Sequence, residues 1–399
     1  MTHASLPLDE LRSAADRWGT PLYVTDLDAV AANLAEFHAA FPGALVAYAV
    51  KANSDPMLLR RFAAAGAGAE VVNAVELALA LRAGFPGERI VMNGVGKTDA
   101  DHDAAQLAGA LINSESLSEL DALLARPPDR PLRLGLRLNP GLAADTHAHL
   151  ATGAGDSKFG IARTDLEAAI DRCGAAGREI ESVGAHIGSG IEDLGAFAGL
   201  AELLADAAGR AEAPRVNVGG GAGTAVSISA LADAIRPHLP DATKLILEPG
   251  RRLVADAGWL LTRVVRVQPR PEAGLTYLIA DAGMAEFIRP ALYGADHPVA
   301  LLEVGHALED GHGTVHMAGP MCEAGDIVAH DIGRSLPAAE LRLTGAGALI
   351  GIGQAGAYGA AMASVYNGRP RPAEAVLEHG KLTLSRRRET LEDLLARDL

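Results

Sequence analysis

From about residue 45 to 250 the chain repeats one alternation: a short apolar run, then a stretch with apolar residues at helical spacing. The runs fall at 46–51, 69–72, 90–93, 110–114, 133–139, 182–187, 215–219 and 245–248. Between them, 56–65 places Met57, Leu58 and Phe62 on one helical face, 165–176 does so with Leu166 and Ile170, and the Ala-rich 201–213 also reads as helix. Strands that alternate with helices build parallel βαβ units. Eight such units in about 220 residues suit a closed (β/α)8 barrel better than an open sheet. Most runs stop at a polar residue or glycine: Lys51, Asn73, Asn93-Gly94, Asn113-Ser114, Asn139, His186, Gly219 to Gly221 and Glu248. In a barrel those ends share one mouth, where barrel enzymes carry their active sites.

Beyond residue 262 the texture changes. Runs at 261–267, 276–281, 299–302, 327–330 and 348–352 have few helices between them, and turn residues at 268–274 and 308–313 separate them. This pattern predicts a second, mostly antiparallel β domain. The strand-like 21–24 belongs with it. The expected fold class is therefore α/β plus β: a TIM-like (β/α)8 barrel over 28–262, and a β-rich domain from 1–27 with 263–399. The charged tail from Arg386 to Leu399 reads as a solvated helix.

Composition narrows the function. Of 399 residues, 49% are hydrophobic, enough for a large core, so wholesale disorder is excluded. A net charge of −15 repels polyanions, so nucleic acid is not an expected partner. No apolar run reaches the roughly 18–20 residues of a membrane span. Met1 to Glu10 lacks the basic flank and apolar stretch of a secretory signal. Two cysteines, Cys173 and Cys322, make no disulfide framework. Together these predict a cytoplasmic protein.

Several motifs carry chemistry. In Tyr48-Ala-Val-Lys51-Ala-Asn53 a lysine ends the first barrel strand, where partial burial suits it to Schiff-base formation; a surface lysine is an equal alternative. Gly94-Val-Gly-Lys-Thr98 resembles the end of a phosphate-binding loop but has Val91 where that loop needs glycine, so it is rejected as one. Gly219-Gly-Gly-Ala-Gly223 follows a strand and can close its N–H groups on an anion, with a helix beginning behind it. Glu248-Pro-Gly-Arg251 ends the eighth strand; its charges either pair with each other or meet a cofactor cation and a substrate anion. His186-Ile-Gly-Ser189 ends the sixth, its histidine either structural or stacked on a flat ligand. Cys322, beside Glu323 between Gly-Pro and Gly-Asp turns, reads as exposed and reactive. His306, His312 and His316 fall in an irregular loop, which argues against zinc; no metal is expected.

Taken in order, these motifs resemble the fold-type III pyridoxal-phosphate decarboxylases, specifically the diaminopimelate decarboxylase family. Lys158-Phe-Gly-Ile161, Ile288-Arg-Pro-Ala-Leu-Tyr293, Gly319-Pro-Met-Cys-Glu323, Ala357-Tyr358 and Tyr366-Asn-Gly-Arg-Pro-Arg-Pro372 extend the likeness over almost the whole chain. The resemblance implies pyridoxal 5'-phosphate held by Lys51 as a Schiff base, His186 stacked on its ring, and Glu248 on the pyridine nitrogen. Ser189, Gly219, Gly220, Gly221 and Tyr358 would hold the phosphate. Arg251, Arg289, Tyr293 and Tyr358 would bind the amino-acid substrate, with Glu323 on its distal ammonium. Cys322 would protonate the carbanion. Cys322 and Glu323 would reach the site of a second subunit, which implies a homodimer with shared active sites.

Departures from the family pattern flank the substrate end. Asn73-Ala-Val-Glu76 stands for Ser-Gly-Gly-Glu, Ala324 follows Cys-Glu where Ser or Thr is usual, Gly190 stands where Gln is common, Asp296 replaces an aromatic and Val365 an Asn. Gly294 lacks the acid expected of an ornithine-type enzyme. The expected reaction is meso-2,6-diaminopimelate to L-lysine and carbon dioxide. A paralogue acting on a related amino acid or conjugate in siderophore or antibiotic synthesis is the alternative. An amino-acid racemase is disfavoured by Cys322-Glu323 and the Arg289 to Tyr293 segment, and a non-catalytic cofactor-binding protein by the joint retention of Lys51, Cys322 and Glu323.

Overall fold

A computed structural model describes residues 7–127, 131–142 and 157–398. The first six residues, part of the segment read for a secretory leader, lie outside them, as does Leu399. The chain divides into two compact units, Ala31–Leu253, and Met1–Val30 with Val254–Leu399.

In the first unit eight parallel strands close on themselves: Leu45–Ala49, Gly68–Val71, Ile90–Met92, Leu111–Ser114, Arg133–Asn139, Ser182–Gly184, Arg215–Asn217 and Lys244–Leu247. The last strand closes the ring by pairing Ile246 with Leu45. Each predicted run contains its observed strand to within a residue or so, and the longest discrepancy is at 182–187, where regular pairing stops at Gly184. A parallel strand buried on both faces reads as a continuous apolar run, which is why these were recognisable. Ala47, Val91, Leu111 and Ile246 form a small buried cluster within the barrel strands.

Several helices that follow the strands begin with side-chain caps. Asp55 accepts from the Met57 and Leu58 amides ahead of Pro56–Ala64, Asn73 caps Ala74–Ala83, and Thr98 with Asp101 forms a reciprocal capping box on Asp99–Ala108. Each cap satisfies N–H groups that the first helical turn leaves without a partner. Caps thus fix where the chain leaves each strand, and with it the direction of the strand-end side chains.

In the second unit Leu22–Asp26 lies inside the sheet, antiparallel to Gly258–Arg270 and parallel to Ala373–Glu378. Gly258–Arg270 also pairs antiparallel with Leu275–Ala280 and Leu349–Ile352. Antiparallel pairing dominates, as expected, with Leu275–Ala280 beside Thr314–Ala318 as the second parallel pair. Alternating burial along Leu275–Ala280 places Leu278 and Ala280 in a core with Tyr23, Leu260, Phe287, Met317 and Ile350.

Three strands were not anticipated: Thr314–Ala318, Ala373–Glu378 and Lys381–Arg386. The first places His316 in a strand, correcting the loop assigned to it. The long strand runs on to Arg270, so the turn is confined to Pro271–Gly274. The tail helix shrinks to Leu391–Leu395, because Lys381–Arg386 pairs with Ala373–Glu378. Among the described residues no helix is long and apolar enough to cross a membrane, and no cluster of three or more metal-ligating side chains occurs.

Candidate active site

Lys51 sits in a one-turn 3-10 segment, Val50–Ala52, directly after the first barrel strand. Its side chain is 43% exposed, so it is less desolvated than the sequence suggested, and its Nζ lies 2.5 Å from Glu70 Oε2. Glu70 is fully buried on the second strand. Asn93, past the third strand, donates through Nδ2 both to Glu70 Oε1 at 3.2 Å and to Glu248 Oε1 at 2.9 Å. Asn217 donates to the same Glu248 oxygen at 2.7 Å. Asn113, from the fourth strand, donates to Asn93 Oδ1 at 2.8 Å and so fixes which way the Asn93 amide faces. Two buried carboxylates thus share one amide, with one lysine beside them.

This arrangement perturbs Glu248. Burial and the nearby Glu70 charge push its carboxyl above the ordinary range, against the Asn217 and Asn93 hydrogen bonds and Lys51. A cation placed against Glu248 would offset both causes. A protonated pyridine nitrogen is such a cation.

Room for these amides is made by glycines. A Cβ on Gly135 would come within 2.0 Å of Asn113 Oδ1, and one on Gly184 within 2.7 Å of Asn217 Cβ. At the adjacent turn, a Cβ on Gly220 would meet the Glu248 carbonyl at 2.2 Å and one on Gly221 the Gly188 carbonyl at 2.4 Å. The Gly220 N–H donates to His186 Nδ1 at 3.2 Å and the Gly219 N–H to Asn217 Oδ1 at 2.9 Å. Those two N–H groups are therefore already engaged. The following helix, Ile228–Ile235, starts several residues further on, so it does not begin directly behind the glycines as the sequence suggested. Burial, then Arg137 and Lys51, hold His186 well below the usual imidazole range, so the ring is neutral. Arg251 donates to Ser189 Oγ through Nε at 3.2 Å and a terminal nitrogen at 3.1 Å. The barrel mouth accordingly brings together Lys51, His186, Ser189, the glycine turn, Glu248 and Arg251.

In the other unit, Arg289 and Tyr293 share the short helix Arg289–Tyr293. The buried Arg289 guanidinium lies 5.6 Å from the Tyr293 ring centre and 5.8 Å from that of Tyr358, which adopts a left-handed backbone (φ 59°). Cys322 and Glu323 are both exposed. Their turn is pinned by buried Asp326, which accepts from the Met321 amide at 2.7 Å and the Met284 amide at 2.6 Å. Tyr366 donates its hydroxyl to Glu323. A cavity of about 500 Å³ lies beside them, lined by Met284, Ile288, Glu323, Ser364, Val365 and Tyr366. His306, His312 and His316 form no metal-ligating group.

Sequence reasoning missed Glu70, Asn217, Arg137 and Glu115, and noted Asn93 and Asn113 only as strand ends. A charged residue inside an apolar parallel strand, as Glu70 is, was the available signal: such a group is buried only with partners.

A closed parallel barrel with a lysine, a buried acid and a close-packed glycine turn at one mouth has the make-up of an enzyme that works through a bound phosphorylated ring cofactor. Residues 27–255 match the pyridoxal binding domain of the pyridoxal-dependent decarboxylases. The diaminopimelate decarboxylase of Deinococcus radiodurans is 41% identical, over 99% of this chain and 100% of that one. The Zymomonas mobilis enzyme is 37% identical over 98% and 94%. Among solved structures, a point mutant of Helicobacter pylori diaminopimelate decarboxylase complexed with L-lysine superposes with a TM-score of 0.89 at 31% identity, covering 97% of this chain and 98% of that one. The chain belongs to the diaminopimelate decarboxylase family of pyridoxal-phosphate enzymes, and is a pyridoxal 5'-phosphate-dependent amino-acid decarboxylase. The buried, cation-seeking Glu248 and the glycine turn that any Cβ would obstruct fit that cofactor.

Proposed function

We propose that the enzyme converts meso-2,6-diaminopimelate to L-lysine and carbon dioxide. The observation that carries this is the near full-length likeness to diaminopimelate decarboxylases, one of them crystallised with L-lysine. When bound, the cofactor supplies an electron-accepting ring for the charge left at Cα as carbon dioxide departs.

The chain's own groups supply the rest. Lys51 Nζ would hold the cofactor's aldehyde carbon and leave it to the substrate amine. Glu248 keeps a proton on the ring nitrogen. His186, held neutral by burial, would face the cofactor's ring and add no competing charge. Ser189, the Gly221 N–H and Tyr358 would hold the phosphate, while Gly219 and Gly220, whose own N–H groups bond Asn217 and His186, would shape the turn around it. Arg251, which donates to Ser189 Oγ at the barrel mouth, binds the substrate carboxylate. Arg289 and Tyr293 bind the distal carboxylate and Glu323 the distal ammonium; fixing that end orients the scissile bond. Cys322 delivers the proton to Cα. Its exposure, with that of Glu323, supports service to the active site of a second copy, hence a homodimer. The acidic surface and two cysteines without a disulfide pattern support a cytoplasmic enzyme.

The test is product analysis. Purified protein with pyridoxal phosphate should release carbon dioxide from meso-diaminopimelate with an equal amount of L-lysine. Release from a different amino acid alone, or none from any, would overturn this assignment.

A further inference from the structure

The Gly94-Val-Gly-Lys-Thr98 segment is not a phosphate loop, yet its lysine is among the most thoroughly engaged charges in the barrel unit. The Lys97 side chain has no solvent exposure and ion-pairs with Glu119 Oε1 at 2.9 Å. The same ammonium donates to the carbonyls of Gly94 at 2.5 Å and Asn113 at 2.9 Å. Three partners use all three N–H groups of a lysine. Glu119 is shared in turn. Its Oε1 also contacts His102 Nε2 at 3.0 Å, and its Oε2 accepts the Glu115 amide at 2.8 Å. Glu115 Oε1 accepts the Gly94 amide at 2.6 Å and an Arg137 nitrogen at 2.9 Å.

These contacts close a ring: Lys97 to the Gly94 carbonyl, the Gly94 amide to Glu115, the Glu115 amide to Glu119, and Glu119 back to Lys97. The ring ties the segment after the third strand to the segment after the fourth. The residues on which it pulls are Gly94, next to Asn93, and Asn113 itself. Asn113 donates to Asn93 Oδ1, and Asn93 in turn donates to Glu70 and Glu248.

We propose that Lys97 is a positioning residue for the cofactor's ring nitrogen: it clamps the Gly94 and Asn113 carbonyls so that Asn113 holds the Asn93 amide in place and Asn93 presents it to Glu248. A buried ammonium serves this better than a neutral side chain, because it binds two carbonyls and a carboxylate at once and keeps them fixed in a region closed to water. The inference deepens the cofactor assignment and rests on it.

A double-mutant cycle separates this role from mere support of the fold. Pyridoxal 5'-phosphate is titrated into apoenzyme of the wild type, Lys97→Met, Asn93→Ala and the double variant, with thermal midpoints recorded for each. Lys97→Met alone should weaken cofactor binding by about tenfold, the scale of a lost charge-assisted contact. In the Asn93→Ala background it should add less than about twofold, because its effect passes through that amide. The pH at which the bound cofactor's visible spectrum changes should move in Lys97→Met and not in Arg133→Met. Arg133 ties Glu181 and two backbone carbonyls at the opposite ends of the strands, so it controls for lost stability alone. Should Lys97→Met not fold, Lys97→Met with Glu119→Gln removes the stranded carboxylate and is read in the same way. Cofactor affinity unchanged by Lys97→Met, or losses that multiply fully with Asn93→Ala, would overturn the proposal. The wild type is one corner of the cycle, so a protein that takes up no cofactor at all would overturn the underlying cofactor assignment and be recognised as such.

Discussion

At Glu248 two costs meet: a carboxyl deprived of water and a second carboxylate, Glu70, close by. Both raise its proton affinity. The folded apoenzyme then binds that proton more tightly than the unfolded chain does. The contribution is favourable at low pH and is lost as pH rises past the ordinary carboxylate value and through the elevated one. Glu248→Gln should therefore stabilise the apoenzyme above that window and change little below it, as thermal melts across pH would reveal. The same substitution should weaken the cofactor and slow turnover, because a neutral amide cannot balance a ring cation. A variant whose apoenzyme melts like the wild type at every pH would show that no such penalty exists. Cys322 has no such burial, so its substitution separates chemistry from folding. Cys322→Ala should keep the thermal midpoint and bound cofactor, while product formation falls by about 10²–10⁴-fold, the usual range for a lost acid–base group. Unimpaired lysine formation would remove Cys322 from the proton-transfer step.

Among the elements, the barrel strands were the most legible part of the sequence. Parallel strands covered on both faces leave uninterrupted apolar runs, and helices at 3.6-residue spacing separate them. Ala373–Glu378 and Lys381–Arg386 were opaque for the opposite reason: Glu374 interrupts the apolar run of the first, and the second, charged at both ends, has no buried residue along it. Residues that act as bare polar termini of strands, such as His186 and Glu248, could be read individually. The amides that orient Glu248 could not, because their meaning lies in cross-strand neighbours. Gly135 shows how closely strand and site are linked, since its missing side chain is the space that Asn113 occupies. Gly135→Ala should destabilise the protein by about 1–3 kcal/mol through overpacking, and should weaken cofactor binding as Asn113 is displaced from Asn93. Denaturant melts and cofactor titration check this, and unchanged values for both would mean the Asn113 amide has freedom that the packing denies it.

For the whole molecule, the proposed sharing of active sites between two subunits makes a distinctive prediction. Lys51→Ala and Cys322→Ala enzymes, each inactive, should regain activity when mixed and allowed to exchange subunits. Random exchange makes half the dimers mixed, each with one intact site, so about a quarter of wild-type activity is expected. No recovery under conditions of proven exchange would place Cys322 in the same chain's chemistry. Beneath every assignment lies the proposed covalent attachment at Lys51. The chain has only five lysines, at positions 51, 97, 158, 244 and 381. Borohydride reduction of the holoenzyme, followed by peptide mapping by mass spectrometry, should find the cofactor's mass on the peptide containing Lys51 and on no other. Cofactor mass on a different lysine, or on none, would contradict the account.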